Sequence, residues 1–289
     1  MRRLATAAAT AAALVAAVPA LAADGAPAPD PPPSHRIEAL QRVSTFKGSA
    51  WRRAVTGGEP CADAVALVES SVGRSTGFLV GRQRRIVLST AHGVVSHPEG
   101  KALRRASVRF DHTGDGPVSF GATVLRVGAT AAFATRNAAR DWAILLLDRA
   151  VPGVRALAPR YAARPDELRG LGPTLALLAY HYDFMGGDRP AISDRCSVSG
   201  RADGLALHDC DAMVGSSGGP LIHREGDRCA VVAINQGGLG RHRRDVDYRP
   251  DGPDANANRA VPLGNLRDVL EPMLRRLEAG EPLGAASVR

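Results

Sequence analysis

Gly215-Ser216-Ser217-Gly218-Gly219-Pro220, running on into the apolar Leu221-Ile222, is the stretch on which the reading of this chain turns. Glycines around a serine let the backbone fold into a tight turn that presents a hydroxyl beside several N–H groups. Acyl transfer needs that combination, an oxygen nucleophile next to donors for an oxyanion. A glycine-flanked serine alone is an ordinary flexible turn, so two other segments decide. Ser89-Thr90-Ala91-His92-Gly93 follows the apolar Ile86-Val87-Leu88, which puts an imidazole at a strand end where a loop can expose it. Asp141-Trp142-Ala143-Ile144-Leu145-Leu146-Leu147 sets a carboxylate at the head of a strongly apolar strand. There it can orient a histidine tautomer and stabilise the imidazolium.

Gly215 to Gly219 also fits the Gly-x-Ser-x-Gly elbow of α/β-hydrolases. That elbow opens a helix and has its acid and histidine downstream. Here Pro220 and an apolar pair continue as a strand, and His92 and Asp141 precede Ser217.

Outward from these segments, short apolar runs broken by Gly, Pro and charge predict strands at 65–72, 77–80, 86–90, 106–110, 118–127 and 142–147. A second group falls at 175–180, 196–199, 205–209, 219–222 and 230–234, and apolar spacing predicts a helix over 266–277, kinked or restarted at Pro272. Two groups of strands with one terminal helix read as an all-β chain of antiparallel barrels. The core is built from Val, Leu, Ile and Ala, because aromatics are 4% of a chain that is 45% hydrophobic.

The three chemical segments resemble the trypsin-like peptidase family. Thr90-Ala91-His92 matches its histidine motif, 141–147 its acidic motif and 215–220 its Gly-x-Ser-Gly-Gly-Pro nucleophile motif, in the family's order. The resemblance covers about 64–277. It implies two perpendicular six-stranded antiparallel β-barrels, about 61–155 and 156–262, with a C-terminal α-helix. It further implies a serine endopeptidase that acts through an acyl-enzyme without cofactor or metal, on protein or peptide substrates, as a monomer. His92, Asp141 and Ser217 would be the triad, and the N–H groups of Gly215 and Ser217 the oxyanion hole. Asp211 stands where the family places the acidic base of a specificity pocket for Arg or Lys. Asn235-Gln236-Gly237 resembles the segment that pairs with substrate backbone, with Gln236 in place of an aromatic. Animal digestive members carry an Asp directly before the nucleophile, for a new N-terminal ammonium to pair with. Ser216 stands there instead, as in the bacterial glutamyl-endopeptidase-like branch, so activity is not expected to need cleavage after Arg53 in Arg53-Ala54-Val55-Thr56-Gly57-Gly58. The competing reading on the same fold is a catalytically inactive binding protein.

Arg2-Arg3, an uncharged run to about Val18 and Ala20-Leu21-Ala22 predict a signal peptide over 1–22, too short for stable membrane insertion. The chain is then secreted or periplasmic. Residues 23–60 read as a proline-rich linker or propeptide-like segment, 61–278 as the peptidase domain and 279–289 as a flexible tail. Four cysteines in an exported chain favour disulfides, and the cheapest loop closure joins Cys196 to Cys210, leaving Cys61 for Cys229. The +8 charge is spread over arginine pairs without interleaved aromatics, which argues against nucleic acid. His181, Asp183, His208 and Asp209 have no metal-ligand spacing, and the aspartates in 111–115 and 247–254 read as solvated turns rather than calcium loops.

Overall fold

The structure, a computed structural model, describes residues 44–46, 52–56, 58–96, 99–111, 116–129, 135–162, 165–171, 174–238, 243–247, 249 and 256–284. All fall in one compact unit, Pro32–Arg289. The predicted signal peptide, the proline run at 26–34, a short helix expected near 38–43 and the end of the tail lie outside the described residues.

The strands in chain order are β1 (Ser44–Phe46), β2 (Arg53–Ala54), β3 (Val65–Ser70), β4 (Gly73–Val80), β5 (Ile86–Ser89), β6 (Arg105–Phe110), β7 (Val118–Val127), β8 (Ala143–Leu147), β9 (Ala158–Pro159), β10 (Leu175–Tyr180), β11 (Pro190–Cys196), β12 (Val198–Ala202), β13 (Leu205–His208), β14 (Pro220–Glu225), β15 (Arg228–Gly238), β16 (Arg243–Val246) and β17 (Asn258–Pro262). Among the described residues two α-helices complete the fold, a short α1 (Pro165–Arg169) and the terminal α2 (Arg267–Glu278).

Strands β3-β4-β5-β8-β7-β6 close into a barrel. Ala106, Val108 and Phe110 alternate with the outward Arg105, Ser107 and Arg109 along β6, the period-two pattern of a strand with one face in a core. Phe110 meets Phe120 edge to face with ring centroids 5.8 Å apart, inside a lining otherwise of Val, Leu and Ile. β5 is buried along its whole length and β8 at four of its five residues, so these neighbours read as continuous apolar runs.

The second half is a separate curled sheet, which with the closed barrel and the terminal helix fits the expected two-barrel architecture. Its strands follow the path β12-β13-β17-β15-β14-β10-β11-β2, with β9 beside β15, and among the described residues that ladder does not close. The two outer main strands, β11 and β12, are nevertheless one run of chain separated by Ser197. Arg195, at a left-handed φ of 59°, and the Cys196–Cys210 disulfide stand at the bend. A single bent strand thus borders both sides of the sheet and curls it. β11 and β17 were missed as strands because Asp194, Arg195, Asn258 and Arg259 break their apolar pattern.

Both expected disulfides form. Cys61–Cys229 fastens the start of the first barrel to β15, across 168 residues of sequence. Such closures remove denatured-state freedom, on the order of 3 kcal/mol for a ~15-residue loop and more for longer ones. The folded part also begins before residue 61, within the expected linker. β2 pairs with β11 (Ala54 opposite Ala191), and Arg53 bonds Glu59 at 2.7 Å and Asp194 at 3.0 Å. Helix α2 runs through Pro272 without a break, burying Leu270, Met273 and Leu277. Pro272 is the sixth of the twelve helical residues, so it forfeits a backbone bond, and packing of the apolar face outweighs that loss. The two remaining strands, β1 and β16, pair with each other in parallel.

Candidate active site

Barrel pairing brings the histidine and the aspartate together. β5 and β8 are antiparallel neighbours with Ser89 opposite Ala143. The residues just past the end of β5 and just before the start of β8 therefore emerge at the same rim. His92 sits there in one 3₁₀ turn, Ala91–Gly93. Its Nδ1 lies 2.7 Å from Asp141 Oδ2, and its backbone N–H donates to Asp141 Oδ1 at 3.0 Å. Asp141 is fully buried, so both carboxylate oxygens are engaged inside the protein. A buried carboxylate is tolerated where donors replace its water.

The serine is held by more distant parts of the chain. Gly215 and Gly218 take φ values of 98° and 88°, and a Cβ on Gly218 would overlap the Thr76 carbonyl oxygen. The turn is tied internally by Ser216 N–H to Met213 O and Gly219 N–H to Ser216 O, both 2.9 Å. From β4, Thr76 N–H donates to Ser217 O at 2.8 Å and Thr76 Oγ1 donates to Gly215 O at 2.8 Å, while Tyr180 N–H donates to that same Oγ1 at 3.0 Å. One threonine of the first barrel thereby fixes both the serine turn and β10.

Behind the turn, Asn235 Nδ2 donates to Ser216 O and lies 3.0 Å from Ser216 Oγ, while Asn235 Oδ1 faces His208 Nε2 at 3.1 Å. Because the Asn235 amide must point its nitrogen at the carbonyl, His208 carries its proton on Nε2. Burial drives His208 down to about 4, against the opposing pull of its Asn235 bond. Burial also drives His181 down to about 3; its Nδ1 accepts from Met213 N–H at 3.2 Å. Both imidazoles are neutral at physiological pH.

Ser217 Oγ donates to the Gln236 carbonyl at 3.2 Å, and Gln236 Nε2 donates to Asp141 Oδ2 at 3.0 Å. Gln236 thus touches both the serine and the acid. The exposed positions expected for the hydroxyl and imidazole are corrected: Ser217 is 0% and His92 8% exposed, because both lie where the two halves pack together. Asp211, which could have been a surface turn, is buried, and its N–H donates to Ser193 Oγ at 3.1 Å. The neighbouring Asp209 carboxyl is pushed up by burial and, to a lesser extent, by the Asp211 charge. Asn235 and Gln236 turn their side chains to the serine turn and to Asp141, and Gly237 pairs with Arg259 on β17. Sequence reading missed Thr76; its signal was Ser75-Thr76, a polar pair in a strand otherwise buried and apolar beyond Arg74. Among the described residues, no group of three or more His, Cys, Asp or Glu side chains is placed to hold a metal ion.

The family whose model matches this chain is described as "Trypsin-like peptidase domain", and the match spans residues 75–234, more than half of the sequence. A solved structure of a Glu endopeptidase in complex with MPD superimposes with a TM-score of 0.59 over 82% of this chain and 100% of its own, at 16% identity, a likeness of fold. A search of curated proteins finds no match.

Proposed function

This chain belongs to the trypsin-like peptidase family, and we propose that it is an exported serine endopeptidase with Ser217 as nucleophile, His92 as general base and acid, and Asp141 as the orienting carboxylate. The observation that carries the reading is the pair of bonds from His92 to Asp141, at 2.7 Å from Nδ1 and 3.0 Å from the backbone N–H. With the Nδ1 proton held by the carboxylate, Nε2 is the ring nitrogen with a lone pair for a proton.

Ser217 Oγ leaves the Gln236 carbonyl to attack the substrate carbonyl carbon as its proton passes to His92 Nε2. The N–H groups of Gly215 and Ser217 receive the oxyanion. His92 then returns the proton to the departing amine. Water repeats the sequence on the acyl-enzyme, freeing the acid and restoring the serine. Asp141 stays ionised throughout.

Buried Asp211 supports a pocket for Arg or Lys at the cleaved position, in contrast to the Glu in the name of the structural neighbour. The two disulfides and the leader-like sequence over 1–22 support export, with 61–278 as the peptidase domain. Cleavage after Arg53 is not required, since Arg53–Ala54 is a strand paired to β11 and Asn235 bonds Ser216 where the family's digestive members keep an acid.

Reaction with a fluorophosphonate probe tests the assignment. Ser217 should be labelled in the folded, disulfide-bonded protein and His92→Ala should abolish labelling; an unlabelled wild type would favour the non-catalytic binding protein. Peptides differing in Arg, Glu or Leu test Asp211, and preference for Glu or Leu would remove it as the pocket base.

A further inference from the structure

Gly81-Arg82-Gln83-Arg84 carries the chain from β4 to β5 in a tight turn, closed by Arg84 N–H to Gly81 O at 3.1 Å. Helix α2 lies so close to that turn that a Cβ on Gly81 would overlap Leu274. The segment leading from β8 to β9 is tied to the same end of the barrel by Val151 N–H to Arg84 O at 3.0 Å and Leu157 N–H to Leu79 O at 2.9 Å. Turn, helix and segment together line a groove of about 460 Å³. Leu157, Pro159 and Leu274 give it apolar surface, and Arg82, Arg84 and Arg155 give it positive charge.

Elsewhere arginines are held by acids: Arg53, Arg105, Arg224 and Arg275 each bond a carboxylate, at 2.7, 2.8, 3.1 and 2.9 Å. Among the described residues, the side chains of Arg82, Arg84 and Arg155 bond no acid, and Arg82 and Arg155 are exposed. Glu278 also lines the groove and pairs with none of the three. Arg84 stands at a left-handed φ of 52°, so the turn carries its guanidinium at a conformational cost that glycine would not incur.

We propose that this groove is a docking site for an acidic peptide segment of a second protein, one with leucine-sized side chains between its carboxylates. Each half of that description answers one half of the lining. Guanidiniums take carboxylates fork to fork; such exposed pairs are weak singly, and three of them converge on one groove. The apolar surface gains by covering hydrocarbon and gives nothing to a sulfate or phosphate chain. The turn precedes β5 and His92 follows it, so roughly 13 Å of strand separates the groove from the catalytic rim, and an occupant leaves the cleft open.

Fluorescence anisotropy of a fluorescein-labelled peptide, Glu-Leu-Glu-Glu-Leu-Glu, tests this on the full, disulfide-bonded chain. The measurement needs no turnover, so its outcome is separate from that of the peptidase reading. The peptide should bind saturably. Arg82→Gln, Arg84→Gln and Arg155→Gln together should weaken binding about tenfold. Arg104→Gln, Arg189→Gln and Arg201→Gln together remove as much charge from three exposed positions elsewhere, and should change it by no more than about twofold. Glu278→Gln should tighten binding about twofold by removing a like charge. Replacing both leucines of the peptide by serine should cost about tenfold at unchanged charge. If a melting curve finds the groove variant unfolded, Glu278→Gln and the serine peptide carry the test. Binding that survives the change to serine, or heparin that competes as well as the peptide, would overturn the inference in favour of a general polyanion surface. No binding by the wild type, equal loss in the two triple variants, or a self-association that the groove variant abolishes would overturn it too.

Discussion

The rim of the first barrel and the serine turn of the second half meet at Gln236, yet they are built in opposite ways. His92 and Asp141 are neighbours because β5 and β8 are neighbours, and two bonds between the same two residues complete the pair. The turn at 213–219 has no such local frame. It is held by Thr76 from β4, by Asn235 and Gln236 from β15 and, one step further back, by His208 from β13. The acid–base pair is thus a consequence of strand pairing, whereas the nucleophile depends on side chains far apart in sequence. Changes within the rim should act on proton transfer alone. Changes around the turn should act on serine reactivity and stability together.

The largest effect is expected from Asp141→Asn. Asp141 Oδ1 faces a backbone N–H, so the new amide keeps its oxygen there and turns its nitrogen towards His92 Nδ1. Nδ1 must then accept, the ring proton moves to Nε2, and the base cannot take the serine proton. Gln236 can follow by flipping its amide to present its oxygen. Turnover should fall by on the order of 10⁴-fold, as expected when a triad histidine is held in the wrong tautomer. Thermal stability should change little, because each contact keeps a partner. Steady-state kinetics beside a melting curve checks both halves of the expectation. A fall in stability matching the loss of activity would mean that the rim is not the self-contained unit that strand pairing implies.

The same contrast governs what was legible in the sequence. All six strands of the first barrel stand out as apolar runs, because each either alternates, as β6 does, or is apolar almost throughout, as β5 and β8 are. His92 and Ser217 have distinctive neighbours, and Asp141 heads an apolar run. Thr76, the Asn235–Ser216 bonds and the reach of Gln236 to Asp141 were not legible. Each depends on a meeting of distant segments, and the Gln236 contact also depends on a bulge that no local pattern announces. The bend at Ser197 was likewise hidden, since the run 196–199 reads as one short strand, whereas it is the junction of β11 and β12.

Thr76→Val probes the turn at its most connected point. Valine matches threonine in shape but strands two buried groups, the Gly215 carbonyl and the Tyr180 N–H, while the backbone bond to Ser217 O remains. Each buried group left without its partner costs about 1–3 kcal/mol. Urea unfolding should register a loss in that range, and fluorophosphonate labelling of Ser217 should slow about tenfold, which is ~1.4 kcal/mol of misplacement. The His92 Nδ1–H resonance should stay where it is. A shift there as large as that produced by Asp141→Asn would show that the two regions are not separable.

The smallest effect on turnover, and the finest test of the comparison, comes from the neutral histidines beneath the turn. His208 and His181 are pushed by burial to about 4 and about 3, below the ~6.5 of an unfolded chain. With a folded value below the unfolded one, the unfolded state binds protons first as the solution acidifies. The stability these residues contribute is complete above ~6.5 and is lost as pH falls towards 4 and then 3. Asp209, raised by burial, has the opposite sign, since protonation favours its folded form. His208→Gln isolates one histidine, because the glutamine amide can still donate to Asn235 while no longer titrating. Activity at pH 7.5 should be unchanged. The drop in unfolding free energy between pH 7.5 and 4.5 should shrink by roughly 2 kcal/mol, at ~1.4 kcal/mol per unit of difference. Both histidines support the turn, at Asn235 and at Met213, so acid should loosen that region first. Hydrogen exchange at pH 4.5 should open the amides of Ser216, Gly218 and Gly219 before those of β5 and β8. Simultaneous opening would mean that the barrel rim and the serine turn stand or fall as one unit, for all the difference in how each is assembled.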